Sequence, residues 1–203
     1  MSRERVCAGI ICWQDGPALQ NALASVALVV DELVVVDGLI DGVDPQGLPW
    51  YSPLADLTFW TPNVEVGLWR SQAAKRTRTL QMAQSLACEW LLVLDADEEF
   101  HQGEITPLAQ LLAEAPISYP AVWLHVPGHG ISTRLLRTCR FRRYLTGAHT
   151  LEDHEGATVA LSEENSWPGH GGPWIEHSPQ LRPEGVRQTI RMGELSPSLE
   201  AAR

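Results

Sequence analysis

Three short apolar runs mark the first half of the chain, and two of them lead straight into acidic residues. Arg5 to Ile11 (RVCAGII), Glu32 to Val36 (ELVVV) and Glu89 to Leu94 (EWLLVL) are continuous rather than alternating, so they read as buried strands. Between them the apolar spacing lengthens to that of helices. Gly16-Pro17 opens one whose apolar positions are Ala18, Leu19, Ala22, Leu23 and Val26. Arg70 to Ala87 is a second, with Ala73, Thr77, Leu80, Ala83 and Ala87 near one face. Leu39 to Pro53, rich in Gly, Pro and Asp, reads as loop, and Asp56 to Trp60 as a short third strand. Thr106-Pro107 starts a helix through Ala115, with Thr106 as the cap and Pro107 in the first turn. This alternation of strand and helix predicts an α/β domain with a mostly parallel central sheet flanked by helices.

The second half changes character. Ala121 to Val126 and Ser132 to Phe141 read as two strands joined by Pro127-Gly128-His129-Gly130. Loops dense in Gly, Pro, His and Trp follow, then a last helix from Pro183 to Met192 and a frayed tail.

Bulk properties narrow the classes of function. A chain of 203 residues with 44% hydrophobic content suits a single domain with a real core. A formal charge of −10 argues against a general nucleic-acid or anionic-membrane surface. No apolar stretch reaches membrane-spanning length, and the opening Met1-Ser2-Arg3-Glu4-Arg5 shows no cleavable signal pattern. Cys7, Cys12, Cys88 and Cys139 lack CxxC spacing, and the first three lie in or beside core strands. They read as buried thiols in a reducing compartment, which points to the cytoplasm. Most of the eight Trp should be core.

The chemistry concentrates where the third apolar run ends, at Asp95-Ala96-Asp97 followed by Glu98-Glu99. The end of a buried parallel strand is where open α/β sheets place their ligands. Two carboxylates flanking one small residue can reach a single divalent cation, and hard oxygen ligands suit Mg²⁺ or Mn²⁺. The competing reading is a solvated acidic turn. Asp37 ends the second strand in Asp37-Gly38 and shares that edge; it is either a turn former or an acceptor of hydrogen bonds from a base or ribose, and Asp41 has the same ambiguity. Arg70, Lys75, Arg76 and Arg78 are the densest basic group of this half, either a phosphate grip or a solvated face. Most histidines fall late. His149 and His154 bracket Glu152-Asp153, and His177 follows Trp174-Ile175-Glu176. A neutral imidazole can complete a Mn²⁺ site, and Glu152 or Asp153 can act as a general base.

In their order along the chain these elements resemble a family 2 glycosyltransferase of the GT-A (Rossmann-like) fold. Four stretches carry the resemblance: Val6 to Val26; Asp31 to Gly42, similar to the family's acidic element with its terminal D-G; Ala74-Lys75-Arg76-Thr77-Arg78; and Glu89 to Glu98, close to xWhhhLDADE. The match is good over residues 5–100. Arg134-Leu135-Leu136-Arg137, Gly147-Ala148-His149 and Ile175-Glu176-His177 match weaker downstream elements. Cys12-Trp13 after the first strand, and Leu39-Ile40 where Ser-Thr is usual, depart from the pattern and bear on donor identity.

The resemblance implies one GT-A domain over 1–203. Residues 1–100 would bind the nucleotide-sugar, 101–182 would form a small strand-and-loop acceptor region, and 183–203 a helix and tail. It implies a metal-dependent, inverting transfer from a nucleotide-sugar, with a UDP-sugar the leading donor, to an acceptor that is a glycan, lipid, protein or other small molecule. Asp37 and Asp41 would contact the base side, with Lys75, Arg76 and Asp95 holding the nucleotide. Asp95 and Asp97 would ligate Mn²⁺ or Mg²⁺ with His177 or His149 completing the site, and Asp153 or Glu152 would be the base. Two rival readings keep the fold and change the activity: a GT-A-like nucleotidyltransferase, which would need a more Gly-rich first loop than Cys12-Trp13-Gln14-Asp15-Gly16, and a degenerate transferase kept as a sugar-nucleotide or glycan-binding module.

Overall fold

A computed structural model describes residues 3–12, 17–37, 59–60, 72–103, 105–128, 130–146 and 149–178. The predicted 39–53 loop, with Asp41, and the predicted 183–192 helix lie outside these residues.

The apolar runs form strands β1 (Val6–Cys12), β2 (Glu32–Asp37) and β4 (Trp90–Asp95), with the short β3 (Phe59–Trp60) beside β2. β1 pairs in parallel with β2 on one side and β4 on the other, so the run β3-β2-β1-β4 is parallel throughout. Alternate side chains of these strands face opposite layers, as the pleat requires. Val6, Ala8, Ile10, Leu92 and Leu94 pack with α1 (Pro17–Val26) and α3 (Leu108–Glu114). Cys7, Val34, Val36, Leu91 and Val93 pack with α2 (Gln72–Ser85) on the other face. Both faces are covered, which is why the strands read as unbroken apolar runs.

The sheet as a whole is mixed: the parallel expectation holds for β3-β2-β1-β4, and antiparallel pairs enter beyond β4. β4 pairs antiparallel with β7 (Gly130–Arg137), and β7 antiparallel with β6 (Ala121–Val126). The order continues through β12 (Trp174–His177) to β5 (Glu98–His101), with β11 (Ser166–Pro168) also on β6. A separate three-stranded sheet of β8 (Phe141–Tyr144), β9 (Thr150–Asp153) and β10 (Thr158–Ala160) covers α2 through Phe141, Tyr144 and Leu151.

Three further expectations change. The strand predicted over 132–141 is broken by a single 3-10 turn, Thr138–Arg140, and its two parts join different sheets. The turn is fixed by buried Thr138, whose hydroxyl donates to the Cys88 carbonyl at 2.6 Å. The third helix begins at Leu108 with Pro107 as its N-cap, and no side chain of that cap is bonded; the Leu108 N–H is met instead by Gln102 Oε1 at 2.9 Å. The region read as loops after Phe141 contains five short strands. Of the tryptophans whose side chains are described, Trp90 and Trp123 are buried and Trp167 and Trp174 half-buried. Cys7, Cys12 and Cys88 are buried free thiols as expected, while Cys139 is exposed.

Candidate functional site at the carboxyl edge

β1, β2 and β4 end at one level: Cys12 is in register with Asp37, and Ile11 with Asp95. This is the carboxyl edge of the parallel strands. The chain returns from β3 to parallel β4 through α2, so the first turn of α2 comes to the same edge. Its approach depends on Gly9. A Cβ there would lie 2.8 Å from both Leu91 Cδ1 and Thr79 Cβ, so the helix can sit this close only over a glycine.

The basic residues of α2 are thereby resolved. Lys75 and Arg76 point inward and are buried, rather than forming a solvated face. Lys75 Nζ donates to the carbonyl of Cys12, the last residue of β1, at 3.0 Å. Arg76 Nη2 donates to Asp95 Oδ1 at 2.9 Å, and Arg76 Nε is buried with no hydrogen-bond partner among the described residues. Arg70 lies outside the described residues.

The D-x-D turn is gripped from the second half of the chain. Glu98 is buried; its Oε2 accepts the Asp95 N–H at 2.8 Å and its Oε1 accepts from Arg134 of β7 at 2.5 Å. Burial, and then the charge of Asp95, push the Glu98 pKa up, while Arg134 opposes the shift. Asp97 is also buried, and its Oδ2 lies 3.1 Å from His177 Nε2. The β5–β12 register sets His177 opposite Glu98, and the Ser178 N–H donates to the Asp97 carbonyl at 2.8 Å, so β12 closes over the turn. The hydrogen bond to Asp97 raises the His177 pKa, against the opposing effect of burial.

Among the described residues no three or more His, Cys, Asp and Glu side chains are grouped closely enough to hold a metal. Asp97 and His177 are joined by a hydrogen bond of 3.1 Å that a cation between them would have to replace; what fits a cation is the donor set, since carboxylate oxygen and neutral imidazole both suit Mn²⁺. Such a cation would take its remaining ligands from water and phosphate, as Mg²⁺ habitually does.

The other predicted residues are placed as follows. Asp37 ends β2 at the edge, but its side chain lies outside the described residues. His149 precedes β9; burial and the charges of Arg134 and Arg76 lower its pKa, so it stands within their field. Glu152 and Asp153 have local partners. Glu152 is paired with Arg142 and Arg143 at 3.4 and 2.7 Å. Asp153 Oδ1 accepts the N–H groups of Glu155 and Ala157 at 2.9 and 2.8 Å, forming the β9–β10 turn. The sequence reading missed the roles of Glu98 and Arg134. The one available signal was an acidic residue directly after D-x-D and an arginine beside the apolar pair Leu135-Leu136.

No protein-family profile and no curated protein matches the chain. Among solved structures, S. aureus TarS aligns over 66% of this chain and 28% of its own, at 17% identity and a TM-score of 0.46. A structure of TarS 1-349 in complex with UDP aligns over 48% of this chain and 28% of its own, at 19% identity and 0.39. Mannose-1-phosphate geranyltransferase from Thermus thermophilus aligns over 98% of this chain and 67% of its own, at 14% identity and 0.38. The chain thus spans little more than a quarter of the length of the TarS structures it is similar to. At these scores and identities the likeness establishes neither a shared fold nor a shared activity.

Proposed function

We propose that the protein is a metal-dependent glycosyltransferase that moves a sugar from a nucleotide-sugar, a UDP-sugar foremost, to an acceptor hydroxyl with inversion. The observation that carries the reading is the D-x-D turn at the carboxyl edge, with Arg76 on Asp95 and His177 on Asp97. In this reading Asp97 and His177 hold Mn²⁺ or Mg²⁺, which supplies charge neutralisation for a departing nucleoside diphosphate. Arg76 fixes the Asp95 carboxylate at the edge where the first turn of α2 also arrives, which places a helix N-terminus on the phosphate side. Lys75 braces the end of β1 rather than reaching the ligand. Asp37 is assigned to the base or ribose, and Asp41 to the same side. The acceptor oxygen bonds to the anomeric carbon as the bond to the diphosphate oxygen breaks, and the hydroxyl proton passes to a base on the opposite face of the sugar. Glu152 and Asp153 are left out of the reacting set because each is engaged locally.

The test is calorimetric titration of UDP, GDP and CDP, each with Mn²⁺ and with EDTA. Binding of one nucleotide that vanishes with EDTA is the expected result. Asp97→Asn should weaken that binding at least about a hundredfold, in line with loss of a direct metal ligand. Undiminished metal-dependent affinity in Asp97→Asn would remove the site assignment. Tight nucleotide binding without sugar transfer to any acceptor would favour a binding module.

A further inference from the structure

A cavity of about 290 Å³ lies between β7 and the 3-10 turn Glu163–Asn165. Ser132 and Thr133 of β7, Trp123 of β6, His149, Ser162 and Glu163 line it. We propose that this cavity binds an uncharged pyranose and is the acceptor subsite of the transferase; the word acceptor rests on the function proposed above, and the sugar site does not.

The lining selects the ligand by exclusion. No Lys or Arg among the described residues faces the cavity, and the Glu163 carboxylate repels anions, so phosphates and carboxylates are disfavoured. Glu163 makes no hydrogen bond or ion pair among the described residues, which leaves it open to accept from a ligand hydroxyl. Thr133 is already bonded to Ser166 at 3.3 Å, but a wholly apolar ligand would cover Ser132 and Glu163 without satisfying them, which is unfavourable. Trp123 supplies an apolar wall, steadied by His170 packed edge-on at 4.6 Å between ring centroids. Flat apolar surface beside hydroxyls, a carboxylate and an imidazole matches a pyranose, which has an apolar C–H face and a rim of hydroxyl groups. The volume is near the lower end of the range for small-molecule pockets, about 300 Å³.

Position ties the cavity to the carboxyl edge. Thr133 directly precedes Arg134, which grips Glu98 inside the D-x-D turn. His149 in the cavity wall is partly buried and lies within the field of Arg134 and Arg76, the two arginines of the carboxyl edge, so the cavity adjoins that edge.

The proposal is tested on the full ¹⁵N-labelled chain by NMR. The Trp123 indole N–H signal is assigned by its loss in Trp123→Phe. The probes are the methyl pyranosides of glucose, galactose, mannose and N-acetylglucosamine, with glucuronate as the charged control. At least one methyl pyranoside should shift the Trp123 signal saturably, and glucuronate should bind more weakly than methyl glucoside. Ser132→Trp, which fills the cavity, should abolish the shift. Glu163→Gln, at an exposed position, should weaken binding about tenfold, the cost of exchanging a charged hydrogen-bond acceptor for a neutral one. The proposal is overturned if no pyranoside moves the Trp123 signal of the folded protein, if glucuronate binds more tightly, or if Glu163→Gln binds as wild type. Nucleotide titration of the same sample separates the two readings. Nucleotide binding without a pyranoside response sinks the saccharide cavity alone, and the reverse sinks the transferase reading alone.

Discussion

Two regions of this molecule use arginine–carboxylate pairs, and they put them in opposite environments. At the carboxyl edge, Arg76–Asp95 and Arg134–Glu98 are largely withdrawn from water; the Glu98 side chain is 4% exposed and that of Arg134 12%. On the three-stranded sheet, Arg142 and Arg143 meet Glu152 with their own side chains 66% and 54% exposed. The contact distances overlap, but the energetics do not. Burying an ion pair costs desolvation that its mutual attraction repays only when further hydrogen bonds complete it, and a half-broken buried pair is severely destabilising. An exposed pair is screened, and losing it changes little. The edge bears that desolvation because the two pairs hold the D-x-D turn from both sides: Arg76 through the side chain of Asp95, and Glu98 through its backbone N–H.

The largest effect should come from breaking the buried pair. Arg134→Met leaves Glu98 buried without its cation and should cost about 3–5 kcal/mol of stability, measured by chemical denaturation. Glu98→Gln in the same background should restore part of the loss, because a neutral amide needs no counter-charge. The pH dependence has a definite sign. Burial raises the folded pKa of Glu98, so the folded state holds this proton more tightly than the unfolded chain does. The group therefore favours folding at low pH and opposes it as pH rises above the unfolded value. Without Arg134 that slope should steepen, and Arg134→Met should regain stability on mild acidification. An Arg134→Met variant as stable as wild type at neutral pH would show that the pair does not separate the two regions.

Smaller but still well resolved is the effect of Gly9→Ala. The added methyl would meet Thr79 and Leu91 at 2.8 Å, so α2 must move outward. Overpacking of this kind costs about 1–3 kcal/mol. Displacing α2 also draws Arg76 from Asp95, so nucleotide affinity should fall together with stability. Removal of the helix cap by Gln102→Ala should cost about 1 kcal/mol and leave nucleotide affinity unchanged, because the capped α3 packs beneath the sheet on the α1 side.

These differences also explain what could be read from the sequence. β1, β2 and β4 are covered on both faces, so their apolar runs announce them without knowledge of any partner. Asp95, Asp97 and Asp37 follow by position, since each sits where such a strand stops. β5 has the sequence Glu98-Glu99-Phe100-His101 and could not be seen, because Glu98 is buried by virtue of Arg134, a residue from another strand. The break between β7 and β8 was hidden for the same reason: the Thr138 turn is held by the carbonyl of distant Cys88. Short strands β9 to β12 are half-exposed and polar, with too few residues for an alternation to register. His177 was legible as one of two candidate histidines, and only the β5–β12 register brings it to Asp97.

The smallest predicted effect is the sharpest test of the contrast. Glu152 stood in the sequence as a candidate base, yet in the fold it lies between two exposed arginines. The hydrogen bond from Arg143 lowers its pKa. A carboxyl with a depressed folded pKa contributes stability above its unfolded value and loses it as pH falls through the depressed one. For a solvent-screened pair that contribution is slight. Glu152→Ala should therefore leave the unfolding midpoint at neutral pH essentially unmoved and narrow the difference from wild type further in acid. It should also leave nucleotide-dependent sugar transfer at the wild-type rate. Asp153→Ala gives the matched control: it loses two backbone hydrogen bonds at the β9–β10 turn and should cost about 1–2 kcal/mol with the same unaltered transfer. A hundredfold or greater loss of transfer in Glu152→Ala, with stability unchanged, would move the base back to the three-stranded sheet. Its exposed ion pairs would then be a resting arrangement that the acceptor displaces.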